Sequence, residues 1–422
     1  MQPRPRFSVV IPTRERCETL EYCIKTVLNQ NYDDFELIVM DNCSEDQTKE
    51  VVSKFDDTRI KYFYSDQRLS MQDNWELALS HVKGKFTIYI GDDDGLMPNA
   101  LTGASKIIDN FKNIKIIKWC SGYNYWWPNV LVEGNENVLF INFGNQFRLI
   151  NSRQKLLSYY QRPSDDHTLP MIYHGFVETD LIRSIEAKHG GYFLVSGVDV
   201  FSGLMNAYYT DSYIFSDMPF SIVGVSGKSN GTAHLFKGKK GAQIRKETSE
   251  EYGVQDPNEL LHPELKNTKS HNPQLFVADN LLRFRDLLQL DPNIFSFDKL
   301  HLLNMMTYTV HFDPDGYEET INTIKKIAKE WDVPESAITF PAKGVRQRPP
   351  CGPQYLPNGQ CHTLIVDGNL AGISNVYDAT ILTSSLTGKT MNFVSSTQES
   401  STKNEQTAPE LPKQSYTTYN PQ

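Results

Sequence analysis

Phe86-Thr87-Ile88-Tyr89-Ile90-Gly91-Asp92-Asp93-Asp94-Gly95 is a short apolar run closed by three adjacent carboxylates. Its first five residues are all β-branched or aromatic and are bounded by polar neighbours, the pattern of a buried strand. Three acidic side chains at the end of such a strand repel one another and resist desolvation unless a cation sits among them. Oxygen-only ligands suit Mg²⁺ or Mn²⁺, which commonly also bind a substrate phosphate. A solvated acidic turn or a helix cap is the plainer reading of an isolated Asp triplet. The upstream sequence decides between the two.

Phe7-Ser8-Val9-Val10-Ile11 is a second buried-strand pattern, stopped by Pro12. A helix over 19–29 follows, with Leu20, Ile24, Val27 and Leu28 on one face. Phe35 to Met40 reads as a strand that ends in Asp41, and Ser44 with Gln47 reads as a capping box. Ile60 to Phe63 is another strand, Met71 to His81 a helix, and Pro98 suits the first turn of the next helix. Strands alternating with helices predict an α/β protein with a mostly parallel, doubly wound twisted sheet and flanking helices. Ligands of such sheets bind beyond the carboxyl ends of the strands. Pro12-Thr13-Arg14, Asp41 and Asp92–Asp94 all fall there.

Six segments in order now carry a family resemblance: Val9 to Arg14, Val27 to Gln30, Glu36 to Thr48, Asn74 to Leu79, Gly84 to Phe86 and Asp92 to Asp94. Together they resemble family 2 glycosyltransferases of the GT-A fold, strongly over 6–110 and more loosely over 165–235. The resemblance implies transfer of a sugar from a nucleoside diphosphate sugar, a UDP-sugar first of all, to an acceptor hydroxyl with inversion. It implies Mn²⁺ or Mg²⁺ as cofactor and a glycan, lipid or protein as acceptor.

By that resemblance Pro12, Thr13, Arg14 and Asp41 hold the nucleotide, with Arg16 as an alternative to Arg14. Arg68 is a candidate diphosphate clamp, since guanidinium binds phosphate in bidentate fashion. Asp94 is the first choice for the metal, Asp92 for a ribose or metal-side contact, and Asp93 for the sugar. Gly197-Val198-Asp199 resembles the acidic pair that supplies the base, with Val198 where a glutamate is usual, so Asp199 is the candidate base. Asp180, Asp165 and Asp166 are its fallbacks. His234 is the analogue of a histidine that contacts metal or phosphate. Lys237, Lys239, Lys240, Arg245 and Lys246 suggest a basic lid. Each also has an ordinary structural reading: a turn aspartate for Asp41, a helix cap for Asp199, a surface group for Arg68 and His234.

The net charge of −9 excludes a dedicated nucleic-acid binder. No apolar stretch is long enough to span a bilayer. Six cysteines without short paired spacing fit a reducing cytoplasm, with peripheral attachment to a membrane left open. Cys351, Cys361 and His362 form at best an incomplete metal set. Residues 1–240 are expected to form the GT-A domain, 1–110 as its nucleotide-binding half and 111–240 as its acceptor half. Within the latter, Trp119, Tyr123, Tyr125, Trp126 and Trp127 are either core or a sugar-stacking platform. A mostly helical extension over 241–340 offers acceptor specificity or a homo-oligomer surface. Then come a Pro/Gly-rich region with short strands (341–394), including strands at Cys361 to Val366 and Ala379 to Leu382, and a disordered tail (395–422). A non-catalytic nucleotide- or glycan-binding protein of the same fold is one alternative. A nucleotidyltransferase is another, although its usual Gly-rich phosphate loop is missing from Pro12 to Arg16.

Overall fold

Val9 and Ile11 point to one side of the first strand and Val10 to the other, and both sides are buried. In the computed structural model this strand, β1 (Phe7–Thr13), is followed by α1 (Cys17–Leu28), β2 (Phe35–Asn42), α2 (Thr48–Ser53), β3 (Ile60–Ser65), α3 (Met71–Ser80) and β4 (Phe86–Tyr89). The structure describes residues 4–388 except 164–167, 236–238, 255–256, 266–267, 269, 271, 309, 311–312 and 345–347. The sequence expectations for the 395–422 tail and for Asp165, Asp166 and Lys237 therefore lie outside the described residues, as do the side chains of Lys239 and Lys240.

The middle of the chain forms β5 (Gly95–Leu96), α4 (Ala100–Asn110), β6 (Ile116–Trp119), β7 (Tyr123–Trp126), β8 (Val138–Asn142), β9 (Phe147–Asn151) and α5 (Ser152–Gln161). Next come β10 (Gly175–Glu178), α6 (Thr179–His189), α7 (Val198–Tyr208), β11 (Ser212–Ser216), β12 (Ser221–Val225), α8 (Asn230–Leu235) and α9 (Lys239–Glu251). Three longer helices follow, α10 (Pro273–Leu287), α11 (Lys299–Tyr308) and α12 (Tyr317–Glu330). The described chain closes with β13 (Gly352–Tyr355), β14 (Cys361–Asp367), α13 (Gly368–Ala371) and α14 (Val376–Thr387).

The larger sheet runs β3-β2-β1-β4-β10-β6-β11-β9. Its first four strands are parallel, β10 is antiparallel to both neighbours, and β11 is parallel to β6. Every residue of β2 is buried, as a parallel strand covered on both faces requires. Val9 and Ile11 pack with Leu20, Ile24 and Val27 of α1 on one face; Val10 packs with Trp75, Ala78 and Leu79 of α3 on the other. The register puts Thr13 opposite Asp41, so the two strand ends expected to hold a nucleotide do lie side by side.

A second sheet runs β13-β14-β8-β7-β12-β5. Here one expectation is corrected and one alternative is decided. Ala379 to Leu382 is helical: Val376, Ala379, Thr380 and Thr383 are buried at helical spacing in α14, which packs on α1 and β5 and is capped by Asn375. The aromatic cluster is core rather than an open platform, with Trp119, Tyr123, Tyr125 and Trp127 all 5% exposed or less. Two helix starts also shift. Asp46, not Ser44, accepts from the Thr48 amide that opens α2, while Ser44 Oγ accepts from the Glu15 amide. Pro98 precedes the cap residue Asn99 of α4.

Helices α10 to α12 form their own apolar cluster around Leu275, Leu282, Leu302, Leu303, Met306, Ile324 and Ile327. All six cysteines are unpaired. Among the described residues no helix is long and apolar enough to cross a membrane.

Candidate active site

The Asp triplet leaves β4 at the seam between the two sheets, where β12 of the second sheet runs against it. A Cβ on Gly224 would lie 1.8 Å from the Asp93 carbonyl oxygen, so only glycine permits this approach. All three carboxylates are buried, at 2, 4 and 0% exposure for Asp92, Asp93 and Asp94. Burial on that scale requires donors, and each carboxylate has its own set. Asp92 accepts from Thr13 Oγ1 at 2.7 Å and from Arg16 Nη1 at 2.9 Å. Asp93 Oδ2 accepts from the Ser226 hydroxyl at 2.6 Å and amide at 3.2 Å, and its carbonyl accepts from Trp127 Nε1 at 3.0 Å. Asp94 Oδ1 accepts from the Gly224 amide at 2.7 Å; Oδ2 accepts from the Gly91 amide at 2.6 Å and the Tyr173 hydroxyl at 2.7 Å. His174 Nε2 lies 3.2 Å from the same oxygen without hydrogen-bond alignment.

The charges do not balance. Burial pushes the Asp93 carboxyl up to about 7 against the pull of Arg16, and Asp94 and Asp92 add to the rise. Burial opposes the Arg16 charge too, but Asp92 and Asp93 outweigh it and keep the guanidinium protonated. Burial, with Asp94 and Asp93 beside it, also drives the Tyr173 phenol well up, so it stays a donor.

An oxygen-rich, net-negative pocket of this kind fits a hard divalent cation. A carboxylate offers about four lone-pair positions, so Asp92 and Asp94 each retain capacity beyond the bonds above. Among the described residues no three His, Cys, Asp or Glu side chains form a complete cage. Mg²⁺ and Mn²⁺ sites that use one or two carboxylates together with substrate phosphates do not need one.

Asp41 is 1% exposed and bonded to the Ser44 amide at 3.0 Å and the Tyr62 hydroxyl at 2.7 Å, so it shapes the turn after β2. Non-glycine residues with positive φ, namely Glu15 (53°), Cys43 (60°) and His174 (53°), occupy three loops of the site, the kind of backbone strain that gathers at functional sites. Asp199 lies in the first turn of α7; Gly197 is the cap residue, so the helix-cap reading does not hold. Its carboxylate accepts from the Val200 amide at 2.8 Å and is near enough to act electrostatically on Tyr173 and Lys118. Val198 is 3% exposed and part of the core.

The remaining candidates contact other groups. Asp180 is 72% exposed and paired with Arg4. His234 stacks edge-on against Phe276 of α10, 4.8 Å between ring centroids, and no described contact joins it to the triplet. Arg14 and Arg68 converge on one carboxylate, Glu251 of α9.

Several residues of the site escape the sequence reading. Tyr173 and His174 sit in a loop without periodicity. Ser226 follows directly on an apolar strand, a signal that strand-end logic could have used. Glu76 accepts from the Tyr192 and Phe193 amides and ties the segment before α7 to α3. Lys118, 2% exposed, donates to the Tyr173 and His174 carbonyls at 2.8 and 3.1 Å and so fixes the loop that holds Asp94. Burial lowers its pKa from 10.5 to about 7, against a pull upward from Asp199. Between those two values the unfolded chain holds a proton that the folded one has released, so this group adds stability as pH rises. Below pH 7 both states are protonated and the gain is gone. Thermal unfolding should therefore show wild type gaining on Lys118→Met from pH 7 to 9; a constant difference would refute the shift.

Residues 8–159 match the family model described as Glycosyl transferase family 2. That stretch of the chain is similar to glycosyl transferase family 2. The mostly parallel α/β sheet with flanking helices agrees with the fold class expected from the sequence. The family 2 region is 34% identical over 137 residues to a GalNAc(5)-diNAcBac-PP-undecaprenol beta-1,3-glucosyltransferase of Campylobacter jejuni, covering 32% of this chain and 41% of that one. It is 31% identical over 94 residues to the Escherichia coli UDP-Glc:alpha-D-GlcNAc-diphosphoundecaprenol beta-1,3-glucosyltransferase WfgD, covering 22% and 37%. The matches thus span about two fifths of these relatives. Staphylococcus aureus TarS 1-349 in complex with UDP-GlcNAc aligns at 14% identity and a TM-score of 0.42, over 78% of this chain and 88% of that one.

Proposed function

We propose that this protein transfers a sugar from a UDP-sugar to an acceptor hydroxyl, with inversion at the anomeric carbon. The observation that carries this reading is the strand-end cluster of Thr13, Arg16 and Asp92–Asp94 beside Asp41, with Asp199 facing it from α7. Thr13 and Asp41 border the nucleoside pocket at the ends of β1 and β2. Arg14 and Arg68 supply positive charge for the diphosphate. Asp92 and Asp94 would hold Mn²⁺ or Mg²⁺, which when bound supplies Lewis-acid stabilisation of the leaving diphosphate. Asp199 takes the acceptor proton as the acceptor oxygen bonds to the anomeric carbon and the bond to the diphosphate breaks. The activities named for the C. jejuni and E. coli relatives support a glycan acceptor, one carried on a polyprenyl diphosphate included.

Calorimetric titration with UDP, GDP, CDP and dTDP, each with and without Mn²⁺, tests the reading. UDP is expected to bind, more tightly with Mn²⁺. If none of the four binds, the nucleotide-sugar assignment is wrong; if only GDP binds, the donor class changes.

A further inference from the structure

Arg14 leaves the end of β1 and Arg68 the loop after β3, yet both guanidiniums turn to the same carboxylate. That carboxylate, Glu251, is 3% exposed although Arg68 remains 43% and Arg14 23% exposed. Arg68 lies 3.1 Å from Glu251 and 3.9 Å from Glu247 one turn earlier on α9. The helix that carries them also packs against α8, and its Arg245 donates to the Ala233 carbonyl. Its described side chains include no fully buried apolar one; Ser249 is buried and Ile244 half-buried. With little apolar area removed from water among these side chains, burial contributes little here, and the ion pairs to Arg14 and Arg68 are what join α9 to the strand-end loops.

A carboxylate gathered by two arginines is the electrostatic equivalent of a phosphate, but a weaker one. A diphosphate brings more negative charge and more acceptor oxygens, so it outcompetes a single carboxylate for the same guanidiniums. We propose that α9 is an internal competitor for the donor: Glu251 occupies the arginine pair, and a nucleoside diphosphate binds by displacing it. The inference rests on the nucleotide-binding reading above and adds to it a closed, self-occupied resting state. Donor binding and release of α9 from Arg14 and Arg68 are then one event.

The test is titration of UDP with Mn²⁺ into wild type and Glu251→Gln, joined to amide hydrogen exchange across residues 239–252 of wild type. Glutamine keeps the size of the side chain and removes its charge. UDP is expected to bind the variant about three- to tenfold more tightly, the scale of a partly buried ion pair removed from the competition. Saturating UDP is expected to speed exchange across α9 in wild type, a readout that does not depend on the variant folding. Equal or weaker binding by the variant, or slower exchange of α9 with UDP, overturns the inference while leaving the nucleotide site intact: Glu251 would then merely orient the arginines. If UDP binds to neither protein, the nucleotide reading itself falls, and the inference with it.

Discussion

Asp199→Asn is expected to lower turnover by about 10²- to 10⁴-fold, the usual contribution of a general base, while UDP binding stays unchanged. The substitution is conservative for the fold. The Val200 amide donates to Asp199 Oδ1, and an asparagine carbonyl can accept the same bond. The first turn of α7 also holds without the side chain, because Val198 and Phe201 anchor it in the core. What the variant loses is a group able to take a proton. Initial rates of UDP release in the presence of acceptor, together with calorimetric binding of UDP, separate the two effects. Wild-type turnover in the variant would move the base elsewhere. Absence of turnover in wild type itself, with UDP still bound, would favour a binding protein that keeps the fold.

Asp94→Ala is expected to cost stability as well as metal-assisted binding. Its carboxylate is the shared acceptor for the Gly91 amide, the Gly224 amide and the Tyr173 hydroxyl. Removing it strands these donors around a site with 0% exposure. Each buried, unpaired donor costs about 1–3 kcal/mol. Part of that loss is offset, because one of three crowded negative charges disappears and Arg16 remains to neutralise the other two. A net loss of about 2–4 kcal/mol remains, read as a fall in Tm of about 2–5 °C in a chain of this size. Asp94→Asn, which keeps one acceptor oxygen, should fall less. An unchanged Tm in the alanine variant would show that Asp94 does not hold the seam between the sheets.

The strands β1 to β4 were legible because their signal is local. A parallel strand covered on both faces is a short apolar run, and the polar residue that follows it marks a sheet end. Asp41 and Asp92–Asp94 were found by that logic alone. Helical regions around α10, α11 and α12 were legible for the same reason, since apolar spacing at 3.6 residues needs no knowledge of the partner. Where two periods compete over a few residues the reading fails. Ala379 to Leu382 contains β-branched and apolar residues suited to either form, and only docking of α14 on α1 and β5 selects the helix.

Pairing across the chain was invisible. No spacing announces that β12 brings Gly224 and Ser226 to the triplet, or that Lys118 on β6 braces the Tyr173-His174 loop from beneath. The aromatic cluster 119–127 read first as core and second as a sugar platform, because side-chain chemistry does not say which face a second sheet will cover. Arg68 carried its charge in the sequence, but not its partner Glu251, which lies 183 residues away.

By itself, then, the order of apolar runs and strand-end acids determined a parallel α/β nucleotide-type fold and the place of its carboxylates, since both follow from local burial and charge. Tertiary structure alone decided how three adjacent acids are tolerated: amides and hydroxyls from distant segments, held in register by two sheets, replace the water that each carboxylate gives up. It also decided that Arg14 and Arg68, from two separate loops, meet on Glu251, because a buried charge takes the strongest partner that folding brings within reach.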